Sequence, residues 1–179
     1  MVRAILDGRK NQTRRVIKPQ PGEGDQVGFS FFSGMDAIEM RNYRMGYSEI
    51  VKCPYGQPGD RLWVRETWQY VTKAEHEFWT HHRPDGCAVQ MLYRATDTDW
   101  ENVCSWVPSI HMFRWMSRIT LEVVMVRVER VQGIGGTDAW QEGGFTVTQF
   151  IDLWDSINAK RGYGWDVNPW VWVVEFKKI

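Results

Sequence analysis

The sequence predicts an α+β fold: a small mixed β-barrel with flanking short helices and a long loop insertion, built as a single domain over residues 1–179. Three observations lead there. Period-two apolar runs and helix-spaced apolar runs follow one another irregularly, where a parallel α/β sheet would alternate them regularly. One stretch, residues 19–58, is rich in Gly, Pro and Ser and has no clean period. The length suits one domain with a sizeable core.

The elements follow in order. Residues 1–8 read as a short helix with Ile5 and Leu6 inward. Gly8 serves as its C′ residue, since glycine adopts the left-handed conformation without a Cβ penalty. Residues 19–58 read as a loop-rich excursion with short extended pieces such as Val27–Phe32. The turn cluster Cys53–Asp60 delivers the chain into a strand over Arg61–Val71. Residues 73–86 are polar and read as a surface helix or loop. Ala88–Ala95 reads as a second strand with Val89, Met91 and Tyr93 on one face. Asp97–Val107 is a polar connection, and Ser109–Arg118 carries His111, Arg114 and Arg118 among aromatics. Ile119–Val131 is the longest strand, with apolar residues on both parities that imply burial on both faces for part of its length. Thr137–Gly143 reads as a short helix with Thr137 as N-cap and Gly143 at its end. Thr148–Lys160 is the clearest helix, with Phe150, Ile151, Trp154 and Ile157 at helical spacing. A last strand covers Pro169–Phe176.

Composition narrows the function classes. Lys plus Arg and Asp plus Glu balance at 22 each, so no global field draws the chain to nucleic acid. Any such binding needs a local patch, and Arg9, Lys10, Arg14, Arg15 and Lys18 supply one. The eleven tryptophans are mostly core filler for a small barrel, with some available to stack on a base. Cys53, Cys87 and Cys104 include no C-x-x-C pair, and His81 and His82 are adjacent, so neither a metal nor another cofactor is expected. No apolar run of spanning length and no leader pattern occurs, which predicts no membrane partner and a cytoplasmic location.

The segment Ile5–Arg15 packs a lysine, a threonine and guanidinium groups just past the first helical turn. Such groups suit a phosphate, a carboxylate or a polarised carbonyl. Gly8-x-Lys10-x-x-x-x-Arg15 resembles the signature of the ASCH domain, a branch of the PUA-like β-barrels linked to RNA and modified nucleosides. The run Met1–Lys10 is similar to phage and prophage members of that family. So are Gly59–Trp68, Trp154–Asn158, Gly162–Asp166 and Pro169–Phe176, which keep their order along the chain. The resemblance implies a PUA-like barrel, a phage or prophage source in a bacterial host, and RNA or a modified nucleoside as partner. Relatives of this kind carry a strand just upstream of the first helix. Here that strand is missing before Met1, which suggests a shortened chain, a late start site, or a variant. A variant would leave an open sheet edge that a second copy can cover as a homodimer.

Within that class, amidohydrolases acting on N4-acetylcytidine use a lysine, a threonine three residues later, and a distant glutamate in an Ala-x-x-Glu pattern. Lys10, Thr13 and Glu142, the last within Ala139-Trp140-Gln141-Glu142, correspond. Asn11 stands where a threonine commonly follows the lysine. Thr13 can attack the acyl carbon with neutral Lys10 as base, or charged Lys10 can stabilise the oxyanion while Glu142 activates a water. Glu66 and the Ser109, His111, Arg114 and Arg118 cluster are further ligand-binding candidates, beside Arg9, Arg14 and Arg15. Trp63 and Trp68 are the expected stacking residues at the pocket mouth. The rival functions are a non-catalytic RNA- or DNA-binding module and a ribonuclease.

Overall fold

The computed structural model describes residues 1–22, 24–29, 37–42, 45–71, 81–82, 88–97 and 105–179. The chain is mixed α+β, with short helices and an antiparallel, curled principal sheet. Its contacts divide it into two compact units, one formed by residues 3–61 and 122–178 and one by residues 62–121, apart from single terminal residues.

The first unit begins with helix α1 (Val2–Leu6). Ala4 and Ile5 are its buried positions, and Leu6 is only half-buried. Gly8 has φ +73°, the left-handed value expected of a C′ glycine. The chain then enters β1 (Gln12–Val16), which pairs antiparallel with the C-terminal strand β10 (Trp170–Lys178) in the register Thr13↔Val174, Arg14↔Val173, Arg15↔Trp172. β10 lies between β1 and β9 (Thr120–Arg130). That central position explains why Val171, Trp172, Val173 and Val174 are all essentially inaccessible to solvent. Val171 and Val173 face Phe150 and Trp154 of helix α3 (Val147–Asn158), which form one core with Val131, Ile134 and Ala139. Before it lies α2 (Gly136–Gln141).

Several expectations need correction. Residues 19–58 hold more strand than expected: among the described ones β2 (Gln26–Phe29), β3 (Ala37–Asn42) and β4 (Tyr47–Lys52) form an antiparallel sheet in that order. Ala37, Ile38 and Met40 are buried, and the Asn42 side chain closes the β3–β4 turn by accepting from the Met45 N–H at 2.9 Å. The 30–32 part of the expected Val27–Phe32 extension lies outside the described residues. β9 buries residues of both parities over part of its length, Leu121 and Val123 on one and Val126 on the other, while Val124 and Met125 are exposed. Thr137 is not an N-cap, because that position falls two residues earlier, at Gly135, and α2 begins at Gly136. The capping expected of threonine occurs instead at Thr146, which accepts from the Gln149 N–H and returns a reciprocal side-chain bond. Ile157 is exposed, so the apolar stripe of α3 narrows at its last turn.

In the second unit the expected strand Arg61–Val71 is two: β5 (Arg61–Trp63) and β6 (Trp68–Val71). β6, β8 (Ala88–Tyr93) and β7 (His81–His82) form an antiparallel sheet with β8 central. Between β5 and β6 the Val64 N–H bonds to Ile119, and the Ser117 hydroxyl donates to the Val64 carbonyl. These contacts take the backbone out of a continuous ladder. Trp68, Met91, Tyr93, Met112 and Met116 make the unit's core. The polar stretches 73–86 and 97–107 fall largely outside the described residues. So do Cys87, Cys104 and the side chains of His81 and His82.

Candidate functional site

A cavity of about 870 Å³ lies in the first unit, with Lys10, Thr13 and Glu142 all in its wall. Lys10 and Glu142 meet because the turn after α1 and the turn after α2 lie side by side, joined by an isolated antiparallel bridge between these two residues. The Asn11 N–H continues that contact to the Gln141 carbonyl.

Lys10 is 7 % exposed and its ammonium donates three hydrogen bonds: to Gln12 O at 2.8 Å, Glu142 O at 2.7 Å and Glu142 Oε2 at 3.0 Å. Three acceptors complete the tetrahedron around Nζ, so the resting geometry is that of a charged ammonium. Burial pushes the Lys10 pKa below its ordinary value, and the Glu142 carboxylate opposes that shift without cancelling it. Arg15 and Arg14 add smaller downward contributions. The result is an ammonium that is held in place yet gives up a proton more readily than an exposed lysine.

The other oxygen of Glu142, Oε1, accepts from Arg14 Nη1 at 3.2 Å. Arg14 is 3 % exposed and does not face solvent as a phosphate contact. Its guanidinium also donates to Asp138 Oδ2 at 2.7 Å and, through Nε and Nη2, to Glu129. Arg14 thus lines the cavity with its charge already shared among three carboxylates. Arg127 extends the network to Glu175, Glu129, Asp138 and Gln12 Oε1. The pattern follows from strand parity: Gln12 and Arg14 share one face of β1, and Arg127 and Glu129 share one face of β9. One polar atom is left over: Gln12 Nε2 is buried without a partner.

Thr13 has the opposite parity to Arg14, so it lies on the other face of the edge strand and reaches the cavity wall from there. No hydrogen bond joins its hydroxyl to Lys10 or Glu142 among the described residues. The structure therefore brings Lys10 and Glu142 into contact and leaves Thr13 nearby in the wall. Arg9 pairs with Asp7 at 2.8 Å and donates to the Gly143 carbonyl at 3.3 Å. Arg15 is exposed at the cavity and donates to the Arg14 carbonyl at 3.1 Å.

The expected stacking residues are elsewhere. Trp63 and Trp68 are not among the residues lining this cavity. Trp68 is buried in the second unit's own core, and Trp63 lies beneath the Arg65 and Arg114 guanidiniums at 4.9 and 6.0 Å. The aromatic rings that do line it include Tyr55, Phe145, Trp154, Tyr163 and Trp172. The sequence offered a signal for Trp154 and Trp172, which lie in patterned elements, and none for Tyr55 or Tyr163, which lie in turns.

Glu66 belongs to a separate arrangement in the second unit. It is 1 % exposed and accepts a bidentate pair from Arg118, Nε at 3.0 Å and Nη2 at 2.9 Å. Arg118 lies over the Tyr93 ring at 4.0 Å, and the Tyr93 hydroxyl donates to the Met116 carbonyl at 2.7 Å. Burial pushes the Tyr93 pKa up to about 12. Ser109 and His111 share a single 3-10 turn, and Arg114 opens the next. None of Glu66, Ser109, His111, Arg114 or Arg118 lines the cavity of the first unit.

Among the described residues no group of three or more His, Cys, Asp or Glu side chains is arranged to hold a metal ion. No helix among them is long and apolar enough to cross a membrane. Compared with known proteins, the chain matches no family model, no curated protein and no solved structure.

Proposed function

We propose that this protein takes a nucleobase or nucleoside into the Lys10–Glu142 cavity and hydrolyses an N4-acyl group from a cytosine ring, on a PUA-like frame of the ASCH type. The observation that carries the reading is the buried ion pair between Lys10 and Glu142 at 3.0 Å in the wall of a cavity sized for a small molecule. Aromatic rings in the same wall suit a planar base.

The chemistry uses the two groups in complementary roles. Glu142 takes a proton from a water as it attacks the acyl carbon. As Glu142 takes up that proton its hold on the ammonium weakens, and the N–H that Lys10 gave to Oε2 turns to the oxygen on which negative charge develops. Glu142 then passes the proton it took from water to the exocyclic nitrogen as the C–N bond breaks, and the products are a carboxylic acid and the free amino-cytosine. The three acceptors around Nζ support Lys10 as a donor and not as the resting base. Thr13, on the other strand face and without a hydrogen bond to either group among the described residues, supports attack by water over attack by threonine.

Incubation with a panel of N4-acylated cytidines, with an RNA cleavage assay alongside, tests the reading. Release of cytidine and acid is the expected result. Cleavage of RNA in place of deacylation would assign the cavity to phosphodiester chemistry. Binding with neither reaction would leave a recognition module.

A further inference from the structure

Among the described residues the charged side chains in the wall of the cavity are cations apart from Glu142, although the whole chain has no net charge. Those nearest its buried end are compensated: Lys10 by Glu142, and Arg14 by Glu142, Glu129 and Asp138. Arg9 is paired with Asp7. Four others, Arg15, Lys18, Lys52 and Arg161, are exposed and form no ion pair among the described residues. They come from three separate parts of the unit. Arg15 and Lys18 lie on and just after β1, Lys52 ends β4, and Arg161 closes the 3-10 turn after α3. Lys18 Nζ is held 5.4 Å from the centre of the Tyr163 ring, two residues past Arg161, so a cation and an aromatic face stand together in the wall.

Like charges gathered from distant parts of a neutral chain, with no acidic partners, repel one another. A multiply charged anion relieves that repulsion. Guanidinium and ammonium groups together suit phosphate oxygens better than a single carboxylate, which two of them would already satisfy.

We propose that the cavity carries a phosphate subsite built from Arg15, Lys18, Lys52 and Arg161, so that its ligand is a phosphorylated nucleotide unit and not a free nucleoside. The proposal rests on the nucleobase reading given above and deepens it. The phosphate is either the terminal group of a mononucleotide or an internal group of a polynucleotide strand; both present the same oxygens.

Titration calorimetry of the full chain separates the cases, with cytidine, cytidine 5′-monophosphate, pentacytidylate and inorganic phosphate as probes at low and high salt. The monophosphate is expected to bind on the order of tenfold more tightly than cytidine. That advantage should shrink as salt rises. In Lys52→Ala/Arg161→Ala the ratio of the two affinities should fall toward one. Lys18→Gln should do the same to a smaller degree, and circular dichroism confirms that each variant folds. Pentacytidylate binding more tightly than the monophosphate, with the steeper salt dependence, identifies a strand as the source of the phosphate. Equal affinity for cytidine and its monophosphate overturns the phosphate subsite while leaving the nucleobase reading intact. Binding of every phosphate probe, inorganic phosphate included, with no preference for the base keeps the subsite and removes the nucleobase reading. No anion binding at low salt overturns the subsite outright.

Discussion

Lys10 carries its charge into a place where burial disfavours it, and the surrounding acceptors hold it there. Its folded pKa lies below the ordinary 10.5. Between the folded value and 10.5 the unfolded chain binds more protons than the folded one, so stability rises with pH across that window. Below the folded pKa both states are protonated and the burial cost is present in full. The stability difference between wild type and Lys10→Met should therefore move in favour of wild type as pH climbs from neutral toward about 10. Urea denaturation across that range measures it, and a difference flat with pH would show that burial does not depress the ammonium. Arg14 makes the sharper case for stability. Its side chain is fully inaccessible and it compensates Glu129, Asp138 and Glu142 together. Arg14→Ala should cost about 3 kcal/mol by denaturant unfolding, because it removes the buried cation that Glu129, Asp138 and Glu142 share and leaves Arg127 and Lys10 as their remaining partners. The sequence showed that Arg14 belongs to a basic cluster, but not that it is buried. Its partners lie more than a hundred residues away in the chain, and nothing local marks them.

At the scale of elements, the clearest sequence patterns are the ones the structure follows most closely. α3 departs from its expected span by only a residue or two at each end, and Phe150 and Trp154 point into the core as their spacing implied. Its first turn is fixed by the reciprocal Thr146–Gln149 capping box. Thr146→Ala should lower stability by about 1 kcal/mol and leave the fold unchanged, read as a lower thermal midpoint with an unaltered circular dichroism spectrum. No change at all would mean that core packing alone holds the helix end. The extended piece expected from Val27 anticipates part of β2, but β4 was illegible for a physical reason. Tyr47–Lys52 is exposed along nearly its whole length, so no apolar alternation advertises it. Backbone pairing with β3 defines it instead. The break between β5 and β6 was hidden for the opposite reason, since Leu62, Val64, Thr67 and Trp68 mimic one continuous strand.

At the scale of the molecule, a neutral chain has sorted its charges. The first unit gathers Arg14, Arg127, Glu129, Asp138, Glu142 and Glu175 into one network and leaves Arg15, Lys18, Lys52 and Arg161 at the cavity without an ion pair among the described residues. Composition alone shows only the zero sum. The candidate site was legible as far as the Lys10 and Glu142 positions, because a motif quoted both; the stacking tryptophans were misplaced because aromatic content does not say which unit a ring serves. The central claim is that these two residues hydrolyse an acyl amide. Its most direct test is the release of cytidine from N4-acetylcytidine under single-turnover conditions, followed by chromatography for wild type, Lys10→Ala, Glu142→Gln and Thr13→Ala. Wild type should turn over, Lys10→Ala and Glu142→Gln should lose at least about a hundredfold, and Thr13→Ala should keep measurable activity because water is the nucleophile. An inactive wild type would contradict the claim, and so would a Glu142→Gln variant as fast as wild type.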